Sequence, residues 1–258
     1  NSQEGILITG LPNNTDYLLA IEDLTVSFDG FKAVDELTLY IDKGELRVII
    51  GPNGAGKTTV LDLISGKTRA SSGSIRYNNK ELTNMREHEI VRAGIGRKFQ
   101  TPSIYEKLTV YENLEISYPW GRTVFGSLKF TRTKVVVDRI QEVAQEIFLQ
   151  DMLETEAELL SHGQKQWLEI GMLLVQNPEL IMLDEPVAGM TAKEREATAA
   201  LLEKIAKERS IIIIEHDMDF VAKIADQVTV LHLGKILKEG SMDEVRADPV
   251  VQEVYLGH

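Results

Sequence analysis

Apolar and polar positions alternate along residues 18–28 and again along 37–41, which predicts two strands, bounded by breaks at Phe28-Asp29-Gly30 and Asp42-Lys43-Gly44. Residues 47–50, 180–183 and 211–214 behave differently, because they are almost continuously apolar. Runs of that kind belong to strands buried on both faces, as in a parallel sheet. Short strands are also expected at 74–77 and 95–99, and a strand pair at 228–233 and 235–239 turning at Gly234. Helical spacing marks 60–64, 85–92, 109–117, 134–149, 164–176, 192–207, 217–224 and most of 242–256. Strands that alternate with helices imply an α/β fold with ligands at the carboxyl ends of its strands. Strand signals are few between 101 and 177, so that stretch reads as a helical insert. The core it interrupts is formed by 17–100 and 178–258 of a single domain. Residues 1–16 are polar, contain Gly, Pro and Asn, and read as a loose extension.

Composition narrows the partners. The 258 residues are 43% apolar and 26% charged, typical of a globular chain with a sizeable core. The net charge of -12 argues against nucleic acid, which needs a basic face. Cysteine is absent, so disulfides, thiolate metal sites and thiol catalysis are excluded. No apolar run approaches the roughly 20 residues that span a bilayer, and no signal peptide is expected.

The chemistry concentrates at Gly51-Pro52-Asn53-Gly54-Ala55-Gly56-Lys57-Thr58-Thr59, which fits the pattern G-x-x-x-x-G-K-[ST] between a predicted strand and a predicted helix. Its glycines let successive backbone N–H groups turn inward toward a polyphosphate, and the helix adds the positive end of its dipole. Lys57 suits the β- and γ-phosphates, and the Thr58 hydroxyl suits Mg²⁺. A glycine-rich turn that binds nothing is the competing reading, and the flanking strand and helix weigh against it. Asp184 and Glu185 follow the apolar strand 180–183 and belong at the same rim. Asp184 suits holding the magnesium ion through water, and Glu185 suits the general base for an attacking water. Ser161-His162-Gly163-Gln164 precedes a helix, with Ser161 as its N-cap and Gly163 allowing close approach to a ligand. His216 follows the isoleucine strand and Gln100 follows the strand ending at Phe99, so both are polar groups at that rim.

Taken in this order, the phosphate loop, Gln100, the Ser161 motif, Asp184-Glu185 and His216 resemble the nucleotide-binding subunits of ABC transporters. The likeness runs from about residue 18 to the C-terminus. It implies a P-loop NTPase domain of ABC type, with a mostly parallel core sheet, an antiparallel N-terminal β-subdomain and an inserted helical subdomain. It further implies that Phe28 stacks on adenine, that Gln100 senses magnesium and the attacking water, and that His216 contacts the γ-phosphate. A core aromatic would explain Phe28 as well. Ser161 and Gly163 would bind the ATP held by an opposite subunit, so hydrolysis needs a dimer. Two departures stand out. His162 occupies a position where the family more often has glycine, with a side chain free to point away. The turn 187–191 lacks the aspartate that many relatives carry near Met190 or Thr191.

Phe99-Gln100-Thr101-Pro102-Ser103, Ala188-Gly189-Met190 and Glu253-Val254-Tyr255-Leu256-Gly257 resemble the branched-chain amino acid importer branch. Residues 161–172 and 186–191 look closer to the urea-importer subunits of that branch. The likeness therefore implies an ATP hydrolase working with ATP and Mg²⁺ beneath a membrane permease. Urea or short amides come first as solute and branched-chain amino acids next. The expected partners are a second ABC ATPase subunit, transmembrane permeases and, indirectly, a periplasmic solute-binding protein, with no nucleic acid. The expected location is cytoplasmic, on the inner face of the plasma membrane through the permease. An ABC ATPase without a permease, of the cluster-assembly type, is the alternative. Residues 118–134 gather Trp120, Phe125 and Phe130 with Arg122, Lys129, Arg132 and Lys134. They read as a surface loop packed on the helical insert, or else as a contact with a permease or anionic lipid. Glu203, Lys204, Lys207 and Glu208 read as a solvated helix face.

Overall fold

The computed structural model describes residues 17–98, 103–119 and 129–256. The chain runs β1 (Tyr17–Phe28), β2 (Phe31–Asp42), β3 (Leu46–Ile50), α1 (Lys57–Ile64), β4 (Ser72–Tyr77), β5 (Lys80–Glu81), α2 (Glu87–Ala93) and β6 (Ile95–Lys98). It continues through α3 (Val110–Ile116), α4 (Lys129–Glu146), α5 (His162–Val175), β7 (Leu180–Asp184), α6 (Ala192–Ala206) and β8 (Ser210–Ile214). It closes with α7 (Met218–Ile224), β9 (Gln227–His232), β10 (Lys235–Gly240), α8 (Met242–Ala247) and α9 (Pro249–Leu256).

Two sheets form. One is antiparallel in the order β2-β1-β4-β5, and the other has the order β10-β9-β3-β8-β7-β6. In the second sheet β9, β3, β8, β7 and β6 are parallel, and β10 pairs antiparallel on its edge. The chain leaves β3 for the far edge at β6, winds back through β7 and β8, and then passes β3 to reach β9.

The continuous apolar runs are explained by burial on both faces. Leu46, Val48, Ile50, Ile181, Leu183, Ile211 and Ile213 belong to the core shared with α3 to α8. Ile49, Leu180, Met182, Ile212 and Ile214, alternating with them, belong to the core shared with the antiparallel sheet and α1. Odd and even positions along one strand thus serve two different cores, so period-two patterning disappears.

Three local features depart from the expectations. β2 begins at Phe31, not 37, because pairing with β1 carries it through exposed Phe31 and Lys32, where no burial pattern could announce it. The last helical stretch is split: the Asp248 carboxylate accepts from the amides of Val250 at 2.9 Å and Val251 at 3.1 Å, and Pro249 keeps Asp248 extended. α4 begins at Lys129, upstream of 134. Glu203, Lys204, Lys207 and Glu208 are exposed, as a solvated face requires. The expected extension 1–16, Gln100, and the aromatic and basic side chains of 120–133 lie outside the described residues. Among the described residues no helix is long and apolar enough to cross a membrane.

Candidate functional site

The carboxyl ends of three strands lie level. Ile49 of β3 pairs with Ile214 of β8, and Ile214 pairs with Asp184 of β7. Whatever follows each strand therefore meets at one rim: the glycine loop, His216, and the acid pair. An open cleft there is lined by Phe31, Ala33, residues 53–59, Asp184, Glu185 and Ile214.

The loop is pressed against its surroundings. Gly56 adopts φ +103°, and a Cβ there would lie 2.6 Å from the Ala33 carbonyl oxygen, so only glycine fits. Helices α3, α5, α6, α7 and α8 each begin on a side-chain cap, from Thr109, Ser161, Thr191, Asp217 and Ser241. α1 begins on Gly56 with no side-chain cap and no acid in its first turn. Its first N–H groups and the positive end of its dipole are left for an anion. Lys57 curls back so that its ammonium donates to the Gly51 carbonyl and, at 3.4 Å, to that of Pro52. Burial lowers its pKa, and the charges of Glu185 and Asp184 oppose that effect.

Asp184 is 1% exposed. Its Oδ2 accepts from the Thr58 hydroxyl at 3.2 Å, while its Oδ1 is buried with no hydrogen-bond partner. Desolvation raises its pKa, with the Thr58 hydrogen bond working the other way and Glu185 adding to the rise. A buried carboxylate oxygen without a partner costs stability unless a ligand claims it. The oxygen-only chemistry of Thr58 and Asp184 fits Mg²⁺. Among the described residues no group of three or more His, Asp or Glu could hold a metal. A cation at Asp184 would thus take the rest of its ligands from phosphates and water, the usual habit of Mg²⁺.

Glu185 sits at φ +49°, a left-handed conformation that is uncommon for a residue with a side chain. Its Oε1 lies 3.3 Å from Nδ1 of His216. The backbone turn that permits this is held by Glu215, a residue that sequence reasoning passed over. Glu215 is 2% exposed, its Oε1 accepts from the Val187 amide at 3.4 Å, and its Oε2 accepts from the amides of His216 at 3.0 Å and Asp217 at 3.3 Å. Burial raises its pKa against those three bonds. A charged residue between Ile214 and His216, where the apolar run stops, was the available signal.

Ser161 caps α5: its hydroxyl accepts from Gln164 N at 3.2 Å, and the Gln164 side chain accepts from Ser161 N at 2.9 Å. Ser161 and His162 are exposed and Gly163 is buried. A Cβ on Gly163 would lie 2.6 Å from the Glu194 carboxylate of α6, so that glycine lets two helix starts meet. The His162 side chain turns back onto its own chain. Its Nε2 lies 2.8 Å from the Ala188 carbonyl oxygen, so the ring is spent within its own chain. Within this chain the Ser161 motif is not among the residues lining the cleft.

Phe28 and Phe31 face each other across the β1–β2 turn, and both are exposed, at 49% and 65%. Phe31, not Phe28, lines the cleft. No polar or apolar alternation singled it out, because it is a solvent-facing aromatic at a strand start.

Comparison with known proteins agrees with this geometry. Residues 34–188 match the ABC transporter family, and residues 239–258 match the branched-chain amino acid ATP-binding cassette transporter family. The probable branched-chain amino acid transport ATP-binding protein LivG of Archaeoglobus fulgidus is 34% identical over 248 residues, 93% of this chain and 95% of that one. The high-affinity branched-chain amino acid transport ATP-binding protein BraF of Pseudomonas aeruginosa is 32% identical over 249 residues, 93% of this chain and 98% of that one. Among solved structures, the ADP conformation of MJ1267, an ATP-binding cassette of an ABC transporter, superposes with a TM-score of 0.82 at 32% identity, covering 94% of this chain and 99% of that one. CbiO1 of Clostridium perfringens, part of the ABC transporter complex cbiONQ, gives 0.80 at 29% identity, covering 94% and 96%.

Proposed function

This chain belongs to the ABC transporter family and is one of its ATP-hydrolysing subunits, and we propose that it powers a membrane importer of branched-chain amino acids. The observation that carries the catalytic part is the rim where an uncapped helix start, an unpartnered buried oxygen of Asp184 and Glu185 converge. The solute follows the relatives, which are named for branched-chain amino acid transport. Urea and short amides, first in the sequence likeness, stand second in this proposal.

In the proposed mechanism the loop 51–59 wraps the triphosphate, the amides at the start of α1 bind its oxygens, and Lys57 leaves the Gly51 carbonyl for the β- and γ-phosphates. Thr58 and Asp184, with Gln100, would hold Mg²⁺, which when bound neutralises phosphate charge. Phe31 or Phe28 stacks on the adenine. Glu185 accepts the proton of a water attacking the γ-phosphorus as the bond to the bridging oxygen breaks. His216, aligned by Glu215, steadies Glu185 and reaches the γ-phosphate. Ser161, Gly163 and Gln164 serve the nucleotide of a second ABC subunit across a dimer. Permeases hold the pair at the inner face of the membrane, and a periplasmic binding protein delivers the solute from outside.

Uptake tests the solute. Cells lacking their own importers would express this chain with the permease and binding-protein genes encoded beside it, and take up labelled leucine or urea. Leucine uptake that vanishes with Glu185→Gln is expected. Uptake of urea alone would return urea to first place, and purification of the chain with no membrane protein would favour a permease-free ATPase.

A further inference from the structure

The two departures from the family pattern touch each other. His162 replaces the more usual glycine, and its Nε2 lies 2.8 Å from the carbonyl of Ala188, in the turn that lacks the aspartate. Gly189, the next residue, holds φ +73°, and a Cβ there would meet the imidazole at 2.9 Å. The ring therefore occupies space that only a glycine leaves open. Because the Ala188 carbonyl can only accept, Nε2 is the donor in this bond, and the Gln166 side chain lies 3.5 Å from the same nitrogen.

The turn reached by His162 is the one that leaves the acid pair. The amide of Ala188 donates to the Glu185 carbonyl at 3.2 Å. Val187 N donates to Glu215 Oε1 at 3.4 Å, and Glu215 Oε2 accepts from His216 N at 3.0 Å. On the other side, His162 is the first residue of α5 and Ser161 is its cap. These hydrogen bonds, together with the backbone between them, join the start of α5 to Glu185 and His216 of the same chain. A glycine at 162 would leave a gap in that connection, since it has no side chain to reach Ala188.

We infer that His162 is a positioning residue: it makes the helix start offered to a partner's nucleotide move with the turn behind this chain's own acid pair. Nucleotide at one site of a dimer is then felt at the other. The dimer part rests on the function proposed above, whereas the link within the chain stands by itself. Coupling of this kind needs a demonstrated response at a distance, not proximity alone.

Amide hydrogen exchange of the full chain tests it, at a concentration where light scattering reports monomer, with and without adenylyl imidodiphosphate and MgCl₂. Amides 53–60 report occupancy, and 161–166 report the link. In the native chain the nucleotide slows both groups, 161–166 by at least about fivefold, the low end of ordinary site-to-site coupling. In His162→Gly the slowing at 161–166 is lost while that at 53–60 stays. In His162→Gln, whose amide N–H can reach the same carbonyl, it returns. A merely structural role would change exchange at 161–166 equally with and without nucleotide, leaving the nucleotide-dependent difference intact. Gly189→Ala, which puts a methyl into the ring's space, uncouples the native chain and adds no further loss to His162→Gly. Equal nucleotide-dependent slowing in His162→Gly overturns the inference, as does slowing at 53–60 with none at 161–166 in the native chain. No slowing at 53–60 would instead remove the nucleotide-binding reading, and the inference with it.

Discussion

The Thr58 hydroxyl donates to Oδ2 of Asp184 at 3.2 Å, and the other oxygen of that carboxylate is buried with no partner. The site is thus built at the expense of the unliganded fold. Burial raises the Asp184 pKa above its ordinary 3.8. A raised folded-state pKa means stability that is complete below the unfolded value and lost as pH rises through the folded one. Asp184→Asn, which cannot ionise, escapes that loss. Chemical denaturation of the nucleotide-free chain is expected to show the Asn variant drawing ahead as pH rises from about 4. The gap widens by at most about 1.4 kcal/mol per pH step of one, until the folded-state carboxyl has ionised. Adding Mg²⁺ and ATP reverses the order, because only the native carboxylate gains the ligand. Removing Mg²⁺ with EDTA abolishes hydrolysis in both.

Glu185 owes its direction to φ +49° and its contact to His216 at 3.3 Å. Glutamine keeps the same length and the same backbone demand, so Glu185→Gln removes only the capacity to accept a proton. Turnover measured by phosphate release is expected to fall by roughly 10²–10⁴-fold, the usual worth of a general base. Binding of a fluorescent ATP analogue stays within about twofold. Unchanged phosphate release would remove Glu185 from its assigned role.

Phe31 lines the cleft and Phe28 sits across the turn from it. Base stacking on an aromatic is worth about 1–3 kcal/mol. Phe31→Ala is therefore expected to weaken ATP binding at least about fivefold, with a smaller effect on a triphosphate lacking a base. Phe28→Ala acts through the β1–β2 turn and weakens binding less. Titration of both variants with ATP and with inorganic triphosphate distinguishes them, and a larger effect of Phe28→Ala would restore it to the adenine.

What was legible in the chain was whatever depends on neighbours in sequence. The buried strands announced themselves because two cores claim alternate residues of β3, β7 and β8, leaving Arg47, Asp184 and Ser210 as the only polar positions within them. The phosphate loop was legible because its glycines, lysine and threonine are consecutive. Phe31 and Glu215 were not. Phe31 gains its meaning from the folding of β2 against the loop, and Glu215 from Val187, 28 residues away. The orientation of His162 was invisible for the same reason, being set by Ala188, 26 residues away.

Lys98 and Glu169 form an ion pair at 3.2 Å with side chains 2% and 3% exposed, and Glu169 Oε1 accepts from the Ser103 amide at 3.2 Å. The pair pins α5, the helix that Ser161 caps, to the end of β6, just before Gln100. Burial raises the Glu169 pKa against the pull of Lys98, so the charge is kept there at a cost. Glu169→Gln would take the opposite charge away from a buried ammonium, and removing one member of such a pair costs about 3–5 kcal/mol. Replacing both members by apolar groups, as in Lys98→Met with Glu169→Leu, removes both desolvated charges together. That double variant is expected to recover most of the lost stability in urea denaturation, short of the hydrogen bond to Ser103. Its ATP hydrolysis should nevertheless stay well below native, since the tie between α5 and the segment carrying Gln100 is gone. Native hydrolysis in the double variant would make the pair a matter of stability alone.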